Sequence, residues 1–159
     1  MIDKTFINEH LKILEDCVKN ASDEIIEIYK SDEFGHEEKL DGSPLTLADT
    51  KSNEVILSAL NKISADIPII SEETFNEESL KSLSETYWLV DPLDGTKEFI
   101  NKTDEFTVNI ALIDNKKVVF GIVAAPVSGK IWFGSVFDSN NYDEKSAIGK
   151  IRIVMIKSH

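Results

Sequence analysis

Apolar side chains recur along the chain with two spacings, one typical of helices and one typical of strands. Near the N-terminus they fall every three or four positions, at Phe6, Leu11, Leu14, Cys17, Val18, Ala21, Ile25, Ile28 and Tyr29. A second run with this spacing comprises Val55, Ile56, Ala59, Leu60 and Ile63. Both runs predict amphipathic helices, over residues 3–30 and 46–65.

Strand-like segments occupy much of the remaining chain. From Phe106 to Leu112 apolar residues stand at every second position, which is the period of a strand. The segment 118–125 is almost wholly apolar, as expected for a central strand. The pattern predicts an α+β fold, with both helices on one face of a mostly antiparallel sheet. The predicted strands are 67–71, 87–91, 105–113, 117–125, 130–136 and 151–156.

Composition narrows the class of protein. The chain has 159 residues, of which 42% are apolar, so it is long enough for one domain with a real core. Its formal net charge is −12, which does not favour binding to nucleic acid or nonspecific binding to membranes. A phosphate substrate stays compatible with this charge if divalent cations reverse the local sign.

Cysteine and histidine offer little chemistry. Cys17 is the single cysteine, which excludes a disulfide framework and a thiolate metal site, and its place on the first helix predicts a core residue. His10, His36 and His159 are isolated in the sequence. No signal pattern or membrane-spanning run is present, so we expect a cytoplasmic protein, with peripheral attachment to the inner membrane face as an alternative.

The segment 91–99 carries most of the candidate chemistry. Pro92 and Gly95 are expected to end the preceding strand in a tight turn. Asp91 and Asp94 would then lie on one bend, with the Leu93 carbonyl between them. Such hard oxygen ligands, completed by water or phosphate, suit Mg²⁺. The ordinary alternative is that these acids are merely solvated, since Asp-Gly turns are common.

A second acid belongs to the same predicted site. The strand-like run 67–70 is followed by Ser71-Glu72-Glu73. If its strand neighbours the one before Asp91, Glu72, Asp91 and Asp94 share one edge of the sheet. A calcium-binding EF-hand loop is excluded, because Leu93 stands where that loop needs Asp or Asn.

Three segments resemble one known family. Asp-Pro-Leu-Asp-Gly-Thr-Lys-Glu-Phe, at 91–99, resembles the signature of the inositol monophosphatase superfamily of Mg²⁺-dependent, lithium-sensitive phosphatases. Its ending, Lys97-Glu98-Phe99, resembles the 3′(2′),5′-bisphosphate nucleotidase (CysQ-type) branch. Ser-Pro-Leu-Thr-Leu-Ala-Asp, at 43–49, resembles the second family motif. The segment 153–159 resembles a third, with Ile156 where Ser is usual.

The resemblance implies a fold and a domain organisation. It extends from the first helix to the last residue, and it implies the N-terminal domain of the inositol-monophosphatase/sugar-phosphatase-like fold. The smaller C-terminal α/β domain, which holds a further metal ligand and most substrate contacts in the family, is missing. We therefore expect residues 1–159 to form a single truncated domain, with self-association through the face that the missing domain leaves uncovered.

The resemblance also implies residue roles. The metal ligands for two or three Mg²⁺ ions are Glu72, Asp91, Asp94 and the carbonyl of Leu93. The catalytic pair is Asp49 and Thr96, which together orient and deprotonate a metal-bound water. The substrate-binding groups are Glu72, Leu93, Asp94 and the backbone N–H groups of Gly95 and Thr96. Asp49 also has a structural alternative, since it stands three residues after Thr46 as in a capping box, and both roles can hold.

The implied activity is Mg²⁺-dependent removal of the 3′-phosphate from adenosine 3′,5′-bisphosphate, a reaction of sulfur assimilation and nucleotide recycling. We expect it to be impaired in the truncated chain. Two alternatives stay open, namely a phosphatase of the same superfamily acting on inositol phosphate, and a catalytically silent metal-binding or dimerising fragment.

Overall fold

The computed structural model of the protein describes residues 2–31, 35, 37–38, 44–75 and 84–137. Its helices are α1 (Lys4–Ser31), α2 (Leu47–Ile63) and α3 (Thr96–Ile100). Its strands are β1 (Glu37–Glu38), β2 (Pro44–Leu45), β3 (Ile69–Ser71), β4 (Thr86–Asp94), β5 (Thr107–Asp114), β6 (Lys117–Ala125) and β7 (Lys130–Ser135). None of the helices in these ranges is long and apolar enough to cross a membrane.

A five-stranded sheet in the order β3-β4-β5-β6-β7 forms the centre of the molecule. β3 runs parallel to β4, and every other neighbouring pair in this sheet is antiparallel. The tight turn between β5 and β6 is formed by Asn115 and Lys116, both with positive φ, as in hairpins whose twist matches their strands. The predicted, mostly antiparallel sheet is confirmed.

The main core lies between this sheet and the two long helices. α1 and α2 pack on each other and on the sheet, and both contribute fully buried aliphatic side chains. The largest fully buried side chains of the core are Trp88, Phe99, Phe106 and Phe120. This arrangement confirms the α+β class, and burial of the apolar stripes is the force that holds the layers together.

The second face of the sheet carries a smaller apolar cluster. Ala111, Ile113 and Val123 are buried there, because alternate side chains of a strand point to opposite faces. Tyr87, Leu89, Val118 and Trp132 pack around them and are only partly buried. Both faces of the sheet are therefore apolar, and the one opposite the helices is the less covered by the residues that the structure describes.

One predicted boundary was wrong at the site itself. β4 does not stop at Asp91 but continues through Pro92 to Asp94. Asp91 pairs with Asn109 and Asp94 with Thr107. Between these two pairs β4 advances three residues and β5 only two, so β4 has one extra residue. This is a β-bulge, and a bulge is one of the few places where a strand tolerates proline, which has no N–H to donate.

Smaller differences concern short elements. The helix α3 and the short antiparallel pair of β1 and β2 were not predicted. Other predicted boundaries agree within about two residues, which is the usual uncertainty of element ends. The predicted strand 151–156, the third family motif, Ser43, His36 and His159 lie outside the described residues.

Candidate active site

Asp91 and Asp94 lie at the two ends of the β4 bulge, next to the turn into α3. Asp91 is buried, with 9% of its surface exposed, and Asp94 is half-buried. The turn passes through Gly95 with φ of 96°, in the left-handed region that favours glycine. A Cβ atom on Gly95 would lie 2.8 Å from the Glu105 carbonyl oxygen, so the turn also needs glycine for lack of space.

Glu72 lies at the same edge of the sheet. β3 and β4 are parallel neighbours, and the Glu72 N–H donates a hydrogen bond to the Val90 carbonyl at 3.1 Å. The backbone of Glu72 is therefore beside the residue that precedes Asp91. The Glu72 side chain is exposed, and within the described ranges no three His, Cys, Asp or Glu side chains form a group that could hold a metal ion. The structure brings the segments together, and the ligand set itself stays a prediction.

Asp49 and Thr96 are in contact, as the resemblance implied. The Thr96 hydroxyl donates to Asp49 Oδ1 at 3.0 Å, and it also lies 3.2 Å from the Leu93 carbonyl oxygen. The other oxygen, Asp49 Oδ2, accepts hydrogen bonds from the Thr46 N–H at 2.8 Å and the Thr46 hydroxyl at 2.6 Å. One fully buried carboxylate thus caps α2 and holds the threonine of the signature turn.

Two polar residues of α2 that the sequence analysis did not single out also reach the site. Ser52 is fully buried, and its hydroxyl donates to the Pro92 carbonyl at 2.7 Å. Asn53 accepts a hydrogen bond from the Ser71 hydroxyl at 2.6 Å. A signal was present in the sequence, because Ser52 and Asn53 follow Asp49 by three and four positions and so share its side of a helix.

A third such residue is Asn109, which is fully buried in β5 between the apolar residues Val108 and Ile110. Its side-chain NH₂ lies 3.4 Å from Asp94 Oδ2, and its side-chain oxygen accepts from the Thr107 hydroxyl at 3.2 Å. A polar residue within an apolar strand indicates a buried partner, but the sequence does not say which one.

The donor chemistry of this edge suits a divalent cation. Its groups are carboxylate, carbonyl and hydroxyl oxygens, the ligands that Mg²⁺ prefers. Asp91 as a residue interacts with other groups of the protein. Its Oδ1 atom, however, is buried and accepts no hydrogen bond from the described residues. Buried carboxylate oxygens are stabilised by hydrogen bonds or by cations, so the oxygen chemistry of this edge is compatible with a metal, and the ligand set stays a prediction.

Comparison with known proteins places the chain in a family. The family model described as "Inositol monophosphatase family" matches residues 7–150. The chain belongs to the inositol monophosphatase family. A 3′(2′),5′-bisphosphate nucleotidase CysQ from Salmonella typhimurium is 45% identical over 123 residues, covering 72% of this chain and 50% of the relative.

Solved structures of the family share the fold. The crystal structure of CysQ from Bacteroides thetaiotaomicron has a TM-score of 0.65 and 32% identity, covering 93% of this chain and 56% of that one. A structure described as IMPase/NADP phosphatase complexed with Mg²⁺ and phosphate has a TM-score of 0.71 at 18% identity, covering 84% and 49%. The chain spans about half the length of the curated CysQ relatives that it matches.

Proposed function

We propose that the chain carries the metal-binding and water-activating groups of a 3′(2′),5′-bisphosphate nucleotidase that removes the 3′-phosphate of adenosine 3′,5′-bisphosphate. The observation that carries the proposal is the hydrogen bond from Thr96 to Asp49, because it joins two of the family motifs across 47 positions of sequence. The relatives named 3′(2′),5′-bisphosphate nucleotidase CysQ support the substrate.

Asp49 and Thr96 are proposed to hold the attacking water. When Thr96 donates its single proton to Asp49 Oδ1, the lone pairs of its oxygen can accept a hydrogen from water. The two bonds from Thr46 occupy Asp49 Oδ2 and so keep Oδ1 directed at Thr96. A water held in this way passes a proton to the Thr96 oxygen while the Thr96 hydroxyl passes its own proton to Asp49 Oδ1. Asp49 is then the general base of the reaction.

The ligands proposed for two or three Mg²⁺ ions are Glu72, Asp91, Asp94 and the Leu93 carbonyl. When bound, the cations would supply a water of lowered pKa and neutralise phosphate charge. The Gly95 and Thr96 N–H groups are proposed to bind phosphate oxygens, beside the substrate contacts of Glu72, Leu93 and Asp94.

A cytoplasmic location also stays a proposal.

The test is phosphate release in the presence of Mg²⁺, with adenosine 3′,5′-bisphosphate and inositol 1-phosphate as parallel substrates. It is run on the 159-residue chain and on this chain joined to the C-terminal half of a CysQ relative. We expect little turnover by the first protein, and lithium-sensitive turnover of the adenosine substrate by the second. Asp49→Asn in the second protein should lower turnover by about a hundredfold or more, as loss of a general base does.

The controls separate the alternatives. The exposed Asp66→Asn removes the same charge away from the site and should leave turnover unchanged. Preference for inositol 1-phosphate would overturn the substrate assignment. Full turnover by the Asp49→Asn protein would overturn the role of the Asp49–Thr96 pair.

A further inference from the structure

α2 presents a buried polar face to the candidate site. Asp49 and Ser52 are fully buried and Asn53 is 7% exposed, whereas Ile56 and Leu60 of the same helix join the apolar core. Residues three and four positions apart lie on one side of a helix, so the three polar side chains occupy a single turn. Buried polar groups are costly unless they are hydrogen-bonded, so the contacts of this face are strongly determined.

Each side chain of this face binds a different segment. Asp49 accepts from Thr96 in the turn before α3, as described above. Ser52 donates to the Pro92 carbonyl, 40 positions away and directly between the two predicted ligands Asp91 and Leu93. Asn53 accepts from Ser71, 18 positions away and adjacent to Glu72. One helical turn therefore connects all three segments that carry the predicted metal and catalytic groups.

Two of these contacts lie where the sheet itself gives little support. The β4–β5 pairing is interrupted between Asp91 and Asp94, so the Ser52 hydroxyl supplies a donor to a carbonyl inside the bulge. β3 has only three residues, and the hydroxyl of its last residue, Ser71, both donates to Asn53 and accepts from the Glu73 N–H at 3.4 Å. Side chains of α2 thus add hydrogen bonds at the β4 bulge and at the last residue of β3.

We propose that Ser52 and Asn53 are positioning residues that set the spacing between the Glu72, Asp91–Asp94 and Thr96 segments for cation binding. In the proposed role neither residue contacts the cation or the substrate. Each acts through a backbone carbonyl or a neighbouring hydroxyl, as outer groups of metal sites do. This inference rests on the proposed function, because it presumes that those segments bind Mg²⁺.

The experiment is calorimetric titration of Mg²⁺, and of Mn²⁺ as a second probe, into wild type, Ser52→Ala, Asn53→Leu and Ser58→Ala. Ser58 lies on the same helix but is exposed, which makes it a matched control. We expect Kd to rise about 10- to 100-fold for the first two variants, the usual effect of losing such supporting groups, and to be unchanged for Ser58→Ala. Melting temperatures without added metal are measured in parallel.

A purely structural role would give a different result. It would lower the melting temperature of Ser52→Ala and Asn53→Leu while leaving their metal Kd at the wild-type value, and that result would overturn the proposal. Ser71→Ala removes the same hydrogen bond as Asn53→Leu with a smaller change, so it serves if Asn53→Leu does not fold. If the Ser71–Asn53 hydrogen bond sets the metal affinity, the variant carrying both Ser71→Ala and Asn53→Leu should have a Kd no higher than the higher of the two single-variant values.

Asp91→Asn separates this inference from the proposed function. If it binds Mg²⁺ as wild type does, or if wild type gives no binding heat, the proposed metal site is wrong and the inference fails with it. If Asp91→Asn loses binding while folded Ser52→Ala and Asn53→Leu keep the wild-type Kd, the metal site stands and only the positioning role is wrong.

Discussion

Gly95 is a residue of the site at which a side chain does not fit. Its backbone has positive φ, and the place of a Cβ atom is occupied by the backbone of Glu105 and Phe106. Backbone cannot move aside as the end of a flexible side chain can. The turn that brings Asp94 and Thr96 together therefore depends on the absence of a side chain at this position.

A non-glycine residue with positive φ costs about 1–3 kcal/mol in backbone strain. We expect Gly95→Ala to lower the free energy of unfolding by more than this, because the added Cβ also meets the backbone. Gly129→Ala is the matched control, because Gly129 also has positive φ but a Cβ there would have nothing within 4 Å. Urea denaturation of both variants measures the difference. Equal losses would mean that the close approach at Gly95 contributes nothing.

At the scale of elements, α1 contributes to stability mainly through its buried stripe. Cys17 lies in that stripe with 3% of its surface exposed. Burial raises the pKa of its thiol from 9.0 to about 12, because the apolar core disfavours the charged thiolate. The cysteine is therefore a small core residue, as the sequence predicted, and a poor nucleophile.

The pKa shift of Cys17 predicts a dependence of stability on pH. The unfolded chain loses the thiol proton near pH 9 and the folded chain only near pH 12, so the stabilisation is full below pH 9 and is lost as pH rises between these values. Denaturation of wild type and Cys17→Ala at pH 8 and pH 10.5 tests this. The stability advantage of wild type should shrink at the higher pH, by up to about 1.4 kcal/mol per pH unit. A constant difference would contradict the shift.

At the scale of the whole molecule, a net charge of −12 makes cation binding favourable, and the acids at the sheet edge concentrate that charge. A ligand that binds the folded state alone stabilises it, by about 2.7 kcal/mol at a concentration one hundred times its Kd. We expect Mg²⁺ to raise the melting temperature more than Na⁺ does at equal ionic strength. Asp91→Asn should lose this response and Asp66→Asn should keep it. The same response from both variants would point to general screening of charge.

The last strand of the sheet, within the residues that the structure describes, predicts self-association. In the described part of the chain β7 is the last strand of the sheet, and Phe133 on it is 43% exposed, opposite Ile122 on the face that carries the helices. Exposed edges and apolar patches favour contacts between copies of a chain. Sedimentation velocity should show concentration-dependent association of the 159-residue chain, which Phe133→Lys reduces. Phe75→Lys, at a similarly exposed phenylalanine elsewhere, should leave it unchanged, and a wild-type monomer at all concentrations would contradict the prediction.

The sequence by itself determined the features that depend on near neighbours. The spacing of apolar residues predicted α1 and α2, and alternation predicted most of the sheet, because helix and strand periods are local properties of the chain. The motif resemblance predicted the family and the contact between Asp49 and Thr96. The capping role of Asp49 was also readable, since Thr46 is only three positions away.

Only the tertiary structure decided how distant segments meet. The bulge that carries β4 through Pro92 depends on the register with Asn109 and Thr107, which no property of residues 86–94 encodes. Ser52 and Asn53 could be recognised as polar, but their partners lie 40 and 18 positions away. A buried polar side chain must find a hydrogen-bond partner, and its sequence neighbours determine that need without determining the partner, which is chosen by the packing of α2 on the ends of β3 and β4.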